Sequence, residues 1–515
     1  MRIHPRSLLL AAAPLFAALP ASAQALQLQV TGGSLPGQFS LDAYPGYYPL
    51  ELIGIVPSFQ SGPTPLAVLD PADGRTLGIG TDLLSAAWIG FCGLDLHYRV
   101  GPYPLPALPA FQDVGMFFQA FTLLGFPTIV DRLSEPTAIR LANAGAFRQR
   151  LAFTADDRAF GLVVPRPDHR WLVLGGGRGQ LLAQNAHATT EIFDPWSDGF
   201  SAGPTMNAPR SLHSATQLAD GRWLVVGGVD QNNDPQATCE VYDPVADTFT
   251  PVASMGTPRM GHTANLLPSG KVLVTGGLQA LTVVPTQLSA VRDAVASTEL
   301  YDPLTDSWTP GPNLRTPRAA HTSLVRPDGK ILLLGGISWD NVIIVGWLPA
   351  VRATTDLYDP ATNTIAAGPS MGNGRSMVDP IDLGNGRWLL AGGISSLSLT
   401  NLGTPTASAE IYDANTNSWT SVGAMATARG NHKSFALGGG RYLLAGGANG
   451  TILSPQALAS TEIFSTATNT FAPGPQLNSA RAGAAMFPTP QGQVHLIGGA
   501  SAGGSVTNST EWYYF

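Results

Sequence analysis

The sequence predicts an all-β protein whose larger part is a seven-bladed β-propeller preceded by a small β-sandwich-like domain. The first observation behind this is a spacing: Arg158, Arg210, Arg259, Arg318, Arg375, Arg429 and Arg481 each precede the first residue of a Gly-Gly pair by 17 positions. The second is an acid, apolar, aromatic triplet after each pair, as in Glu240-Val-Tyr or Glu299-Leu-Tyr. The third is hydrophobic patterning without any helical period. Units of about 50 residues that recur in this way mark a repeat array, because one small sheet cannot bury its faces alone whereas a ring of sheets can.

Each unit reads as four short strands. The first follows the Arg and ends in a Gly turn such as Asp220-Gly221, Ser269-Gly270, Asp328-Gly329 or Asn385-Gly386, where Gly supplies a positive φ. The second carries an unbroken apolar run, such as Trp223-Leu-Val-Val or Ile331-Leu-Leu-Leu, which implies burial on both faces. It enters the Gly-Gly pair, where missing side chains permit close approach of another backbone. The third strand is the acid-led triplet, broken by Asp-Pro in several units, and the fourth carries Phe200, Phe249, Trp308, Ile365, Trp419 or Phe471.

The seventh unit ends inside its third strand, so an edge would be left open. Residues 144–151, with Phe147 one place off the repeat register, are the expected closing strand of a propeller spanning 141–515. Residues 24–140 alternate strand-like pieces with Gly and Pro turns and form the expected sandwich-like domain. Before them, Arg2 and Arg6, the apolar stretch Leu8 to Leu19 and Ala21-Ser22-Ala23 read as a signal peptide over 1–23. Ala23-Gln24-Ala25 fits cleavage as well and would start the mature chain at Leu26. The expected location is secreted or periplasmic, and no later apolar run is long enough for a spanning helix.

Composition excludes several classes. Charged residues are 12% and hydrophobic residues 44% of the chain, the reverse of a disordered composition. The formal charge is −7 and only Lys271, Lys330 and Lys433 are lysines, so nothing forms a phosphate-neutralising patch and nucleic acid is not an expected partner. Two cysteines, Cys92 and Cys239, are too few for a disulfide framework or a cysteine zinc site.

The Gly-Gly pair, the downstream Tyr and the spaced Trp, as in Gly276-Gly277, Tyr301 and Trp308, resemble the kelch repeat. That resemblance implies a propeller but no single activity, since such rings serve as binding modules, scaffolds and copper oxidases. The two-part architecture is also similar to that of galactose-oxidase-like copper radical enzymes. Such a family implies a Tyr crosslinked to a Cys, a second Tyr and two His as ligands. Cys239 stands beside Glu240 and near Tyr242, Cys92 lies outside the ring, and His97-Tyr98 reverses the family's adjacent Tyr-His order. The copper ligand set is not matched.

His213, His262, His321 and His432 each follow a repeat Arg by three places. One such position per blade spreads the imidazoles around a ring, so they are expected to make repeat-level hydrogen bonds and no metal set. The arginines and acids, one of each per unit, are expected to form a structural pair in each blade. No catalytic residue, cofactor or metal is nominated.

Length variation points to one face. From the first Gly to the acid the distances are 16, 13, 23, 21, 18, 16 and 13, whereas the other spacings are constant. Insertions confined to one side of a repeat array often mark the binding side. The candidate ligand residues are Arg292, Trp339, Asp340, Trp347 and Arg352, with the apolar run Val342-Ile-Ile-Val345 between them. The expected function is a monomeric binding or scaffold module for an extracytoplasmic glycan or protein, and the alternative is a carbohydrate-active propeller enzyme, such as a galactose-oxidase-like copper oxidase.

Overall fold

The computed structural model describes the strands between 27 and 143, and then residues 146–149, 154–168, 170–178, 185–195, 199–280, 293–342, 346–396, 403–451, 454–489, 493–501 and 505–514. Among these no helix is long and apolar enough to cross a membrane. The chain divides into two units, the larger comprising Gly145–Pro488 and Val494–Tyr513.

The larger unit is a seven-bladed β-propeller, built from seven four-stranded antiparallel sheets. In the second blade Ser214–Gln217, Trp223–Val226, Cys239–Asp243 and Thr248–Val252 pair in chain order. The second strands are the most buried, as their unbroken apolar sequence requires; all four residues of Val272–Thr275 and of Ile331–Leu334 are inaccessible. The fourth strands lie half open to solvent.

The hydrophobic core lies between blades. Leu324, Leu332 and Leu334 of the fourth blade pack on Met371, Trp388, Leu390 and Tyr412, and equivalent layers join each neighbouring pair around the ring. Val173 and Phe193 of the first blade meet Phe487 and Ile497 of the seventh. Within a blade, the third-strand aromatic faces its fourth-strand counterpart. Tyr301 and Trp308 are register partners with ring centroids 5.1 Å apart, and Tyr412 and Trp419 repeat that contact at 5.1 Å.

The seventh sheet takes its outermost strand from the other end of the chain. Phe147–Gln149 pairs antiparallel with Thr510–Tyr514, setting Phe147 opposite Tyr513. Their rings are 5.0 Å apart, the contact that an internal aromatic supplies elsewhere.

The segments between second and third strands are not all loops. In the fourth blade Ile337–Val342 and Gly346–Val351 form a two-stranded hairpin, in the fifth Ile394–Ser396 and Thr404–Pro405, and in the sixth Ala448–Thr451 and Ser454–Ala457. Ladder bonding satisfies backbone groups that an irregular insertion would leave to solvent.

The smaller unit holds a three-stranded sheet of Gln27–Gly32, Gly37–Tyr44 and Tyr98–Leu105. A second sheet combines Leu52–Ser58, Trp88–Phe91, Gly115–Leu123, Val130–Leu133 and Thr137–Arg140. Ile53, Ile55, Phe118, Ala120 and Phe121 are buried in it.

Candidate functional site

The frame of the site is the repeated ion pair. Each of the seven arginines meets the acid of its own blade at 2.6–3.1 Å. Its Nη1 donates to the carbonyl of the first Gly of its pair at 2.7–2.9 Å. The acid also accepts backbone N–H groups from the turn just before the Arg; Glu511, for instance, takes those of Asn478 and Ser479. A buried charge survives only when paired and hydrogen-bonded in this way, so both sets are spent on architecture.

The Gly-Gly pair links one blade to the next. In all seven blades the N–H of the second Gly donates to the carbonyl of the following blade's Arg at 2.7–2.9 Å. The first Gly lies against that same carbonyl, and a methyl group on Gly335 would come within 3.0 Å of Arg375 O, nearer than Cβ atoms approach.

Two residues after each Arg the chain turns into the left-handed region. Phe160, Leu212, Gly261, Ala320, Met377, Asn431 and Gly483 all have φ between 48° and 61°, a conformation uncommon for residues other than Gly, Asn and Asp. Backbone bonds hold them there. Phe160 N–H donates to Gly483 O, Gly483 to Asn431, Asn431 to Met377, Met377 to Ala320, Ala320 to Gly261 and Gly261 to Leu212, at 2.7–3.2 Å. These six bonds circle the axis of the propeller and form a collar.

Beside the collar is a cavity of about 260 Å³ in the propeller shaft. Phe160, Leu212, Met377 and Asn431 line it from the collar, and His213, His262, His432, Asp379 and Lys433 from the first strands and the residues leading into them. A smaller apolar recess of about 50 Å³ shares Phe160, Met377 and Asn431, and is otherwise lined largely by the hairpins of the fifth and sixth blades, including Ile394, Pro405, Ala448 and Pro455.

The histidines behave differently from one another. His262 Nε2 lies 2.8 Å from Ser214 Oγ, and His321 Nε2 lies 2.9 Å from Thr275 Oγ1. Among the described residues, neither ring nitrogen of His213 or His432 has a partner, although both side chains are buried. Uniform repeat-level hydrogen bonding is therefore not observed. What the repeat uses is ring volume, since His213, His262 and His321 each pack against the first Gly of the preceding blade. Burial, reinforced by Arg210, pushes His213 down to about 3, and burial with Arg259 does the same to His262. Burial lowers His432 to about 4, against the pull of Asp379. All are neutral imidazoles at pH 7. No group of three or more His, Cys, Asp or Glu among the described residues is placed to hold a metal ion.

Of the residues expected on the variable face, Arg292 lies outside the described residues, as does the tip of the run at 343–345. Trp339 and Trp347 occur on opposite strands of the fourth-blade hairpin, where Trp339 pairs with Pro349 and Trp347 with Asn341. Arg352 is already engaged, donating to Asp340 at 2.6 Å, to Ser338 Oγ and to Trp339 O. Its charge braces the hairpin. Trp339 is half-buried and its Nε1 has no partner among the described residues.

Asp379 and Lys433 escaped sequence reasoning although a signal existed. Four places after the repeat Arg the blades carry Leu162, Ser214, Thr263, Thr322, Asp379, Lys433 and Ala485. Two charges of opposite sign on consecutive blades, in a column otherwise small or apolar, are a departure that the fold does not require.

Seven sheets joined through Arg, Gly-Gly and acid define a kelch-type propeller, and residues 212–256, which span the four strands of the second blade, match the Kelch motif. The chain is a kelch-repeat β-propeller protein. Among solved structures it is similar to YjhT, with 16% identity over 60% of this chain and 96% of that one, at a TM-score of 0.43. It is also similar to a fungal alcohol oxidase of the AA5 family in complex with copper, with 17% identity over 72% of this chain and 76% of the other, at a TM-score of 0.53. The second likeness is one of fold. No curated protein matches by sequence.

Among the described residues, Cys239 and Tyr242 do not fit the crosslinked pair that the galactose-oxidase resemblance implies. Cys239 and Tyr242 project from opposite faces of one strand, as positions three apart must, and belong to different core layers, Cys239 with Val241 and Tyr242 with Leu172. Burial pushes the Cys239 thiol up to about 12, and it donates weakly to Ala237 O at 3.4 Å. The Tyr242 hydroxyl is engaged by Asp247 and Arg166. No crosslinked pair can form between these two residues. Cys92 lies outside the described residues.

Proposed function

We propose that this kelch propeller is an exported binding or scaffold module for an extracytoplasmic glycan or protein, and that its partner docks on the face bearing the segments between second and third strands. In this reading residues 1–23 are a signal peptide, 24–140 a small β-sandwich-like domain, and the mature protein is a secreted or periplasmic monomer. The observation that carries it is the run of hairpins on three consecutive blades, the fourth to the sixth, within the one segment whose length varies from unit to unit. They widen one sector of one face while every other turn keeps its length. Aromatic side chains on such a surface supply rigid contact area to a protein or a stacking plane to a sugar. The Arg352–Asp340 pair keeps the fourth-blade hairpin in one shape, which lowers the ordering cost of binding.

The test is retention on extracellular polysaccharide or envelope protein after changing Trp339, Trp347 and Arg352 to Ala. Loss of retention by a variant with an unchanged melting curve supports the face. Undiminished retention by a folded triple variant rejects it. The alternative, a carbohydrate-active enzyme such as a galactose-oxidase-like copper oxidase, is tested by metal analysis of the purified chain, where stoichiometric copper with a radical absorption would replace the binding reading.

A further inference from the structure

The shaft cavity contains more polar chemistry than the propeller needs. His213 and His432 are 7% and 2% exposed, line the cavity, and have both ring nitrogens unpartnered among the described residues. His262 lines the same wall, its Nε2 2.8 Å from Ser214 Oγ. Buried polar atoms are ordinarily bonded, and each exception calls for an occupant or a role. Two ions of opposite sign share these walls. Asp379 on the fifth blade accepts from the Ser434 N–H at 3.0 Å and Oγ at 2.8 Å, both through Oδ2. Lys433 on the sixth has no carboxylate within 4.0 Å among the described residues, Asp379 included. A cation and an anion that face one cavity without meeting match a molecule that carries both charges itself.

We propose that the shaft cavity is a binding site for a small zwitterion, in the simplest case a free α-amino acid, whose carboxylate is met by Lys433 and whose ammonium group is met by Asp379, with His213, His262 and His432 as neutral hydrogen-bonding walls. Overall charge supports this class over simple ions. The walls sum to zero, because the imidazoles stay uncharged in their buried setting, so a net anion or cation would leave one charge uncompensated in a place where that is costly. Size points the same way. About 260 Å³ lies just below the about 300–1,000 Å³ of pockets that hold drug-sized molecules. Phe160 and Met377 line both the cavity and the apolar recess, so the collar is the partition between them.

The experiment is titration calorimetry of the full chain with glycine, L-alanine, L-serine and L-glutamine, paired with their amides and N-acetyl derivatives, and with acetate, methylammonium and a neutral hexose as controls. At least one zwitterion is expected to bind saturably and raise Tm with concentration, with its amide and its N-acetyl derivative each weaker by about tenfold or more. Lys433→Met should weaken the parent amino acid by a similar factor and leave the amide unchanged, and Asp379→Asn should do the same with the N-acetyl derivative. No saturable binding by any zwitterion, equal binding by parent and derivatives, or tighter binding of the hexose would each overturn the assignment. The analogue series uses the unaltered protein, so it decides the matter even where a substitution prevents folding.

Discussion

The N–H of Gly499 donates to the carbonyl of Arg158 at 2.9 Å, so the last blade grips the first through the same bond that joins every other pair. Ring closure is therefore not left to the short strand Phe147–Gln149 alone. It rests on three layers: this inner bond, the core of Val173, Phe193, Phe487 and Ile497, and the outer pairing of Phe147 with Tyr513.

Phe147→Ala should cost about 3–5 kcal/mol, the usual range for truncating a buried Phe, because the ring is 6% exposed and packs on Tyr513 and on the layer shared with Leu443 and Leu477. Urea unfolding followed by tryptophan fluorescence measures it. A cost below about 1 kcal/mol would mean that the inner bonds close the ring by themselves.

Removing one partner of a buried pair exposes the cost of the other. Glu240→Ala leaves Arg210, which is 1% exposed, facing a vacated site, and should destabilise the propeller by about 3–5 kcal/mol. Raising the salt concentration should not recover that loss, since ions screen buried charges weakly. The exposed pair Arg222–Asp220 is the control; its Asp220→Ala variant should shift stability by about 1 kcal/mol or less.

Two glycines with similar φ separate conformational strain from collision. Gly270, at +81°, has open space where a Cβ would go, and Gly270→Ala should cost about 1–2 kcal/mol for the left-handed backbone alone. At Gly335, with φ +67°, the added methyl also meets Arg375 O, and this variant should fall well below the first in thermal unfolding. Equal melting temperatures would show that the neighbouring blade can retreat.

Acid should loosen the molecule earlier than its carboxylates alone would dictate. His213, His262 and His432 titrate near 6.5 when unfolded and at about 3, 3 and 4 when folded. Below about pH 6.5 the unfolded chain binds more protons, so stability falls from there down to about pH 3–4, where the folded imidazoles also charge. His213→Gln should flatten the slope of unfolding free energy against pH between 6 and 4. An unchanged slope would place this histidine's titration outside the unfolding equilibrium.

The regular part of this geometry was legible because it is periodic. A 17-residue offset between Arg and Gly-Gly corresponds to one hydrogen bond, Nη1 to carbonyl, made seven times, and the recurrence of one Arg and one acid per unit reflected a pair although the step between them varies. The hairpin of the fourth blade was hidden, since Ile337–Val342 and Gly346–Val351 carry no Asn-Gly or Asp-Gly between them. The collar was hidden for the opposite reason. Left-handed backbone is ordinarily announced by Gly or Asn, but Phe160, Leu212, Ala320 and Met377 adopt it under the pull of neighbouring blades, and no single-residue preference records that pull. The shaft charges could be found only by lining up the repeats and asking which members break the column.

The collar has a consequence for how such a protein can diversify. Its six bonds use only main-chain atoms, and its left-handed turn already tolerates an aromatic ring, three aliphatic or thioether chains, an amide and two bare glycines. Scaffold and lettering are separate there. Successive copies of the unit can exchange what they show at the axis, one blade at a time, while the frame that presents it stays as it is.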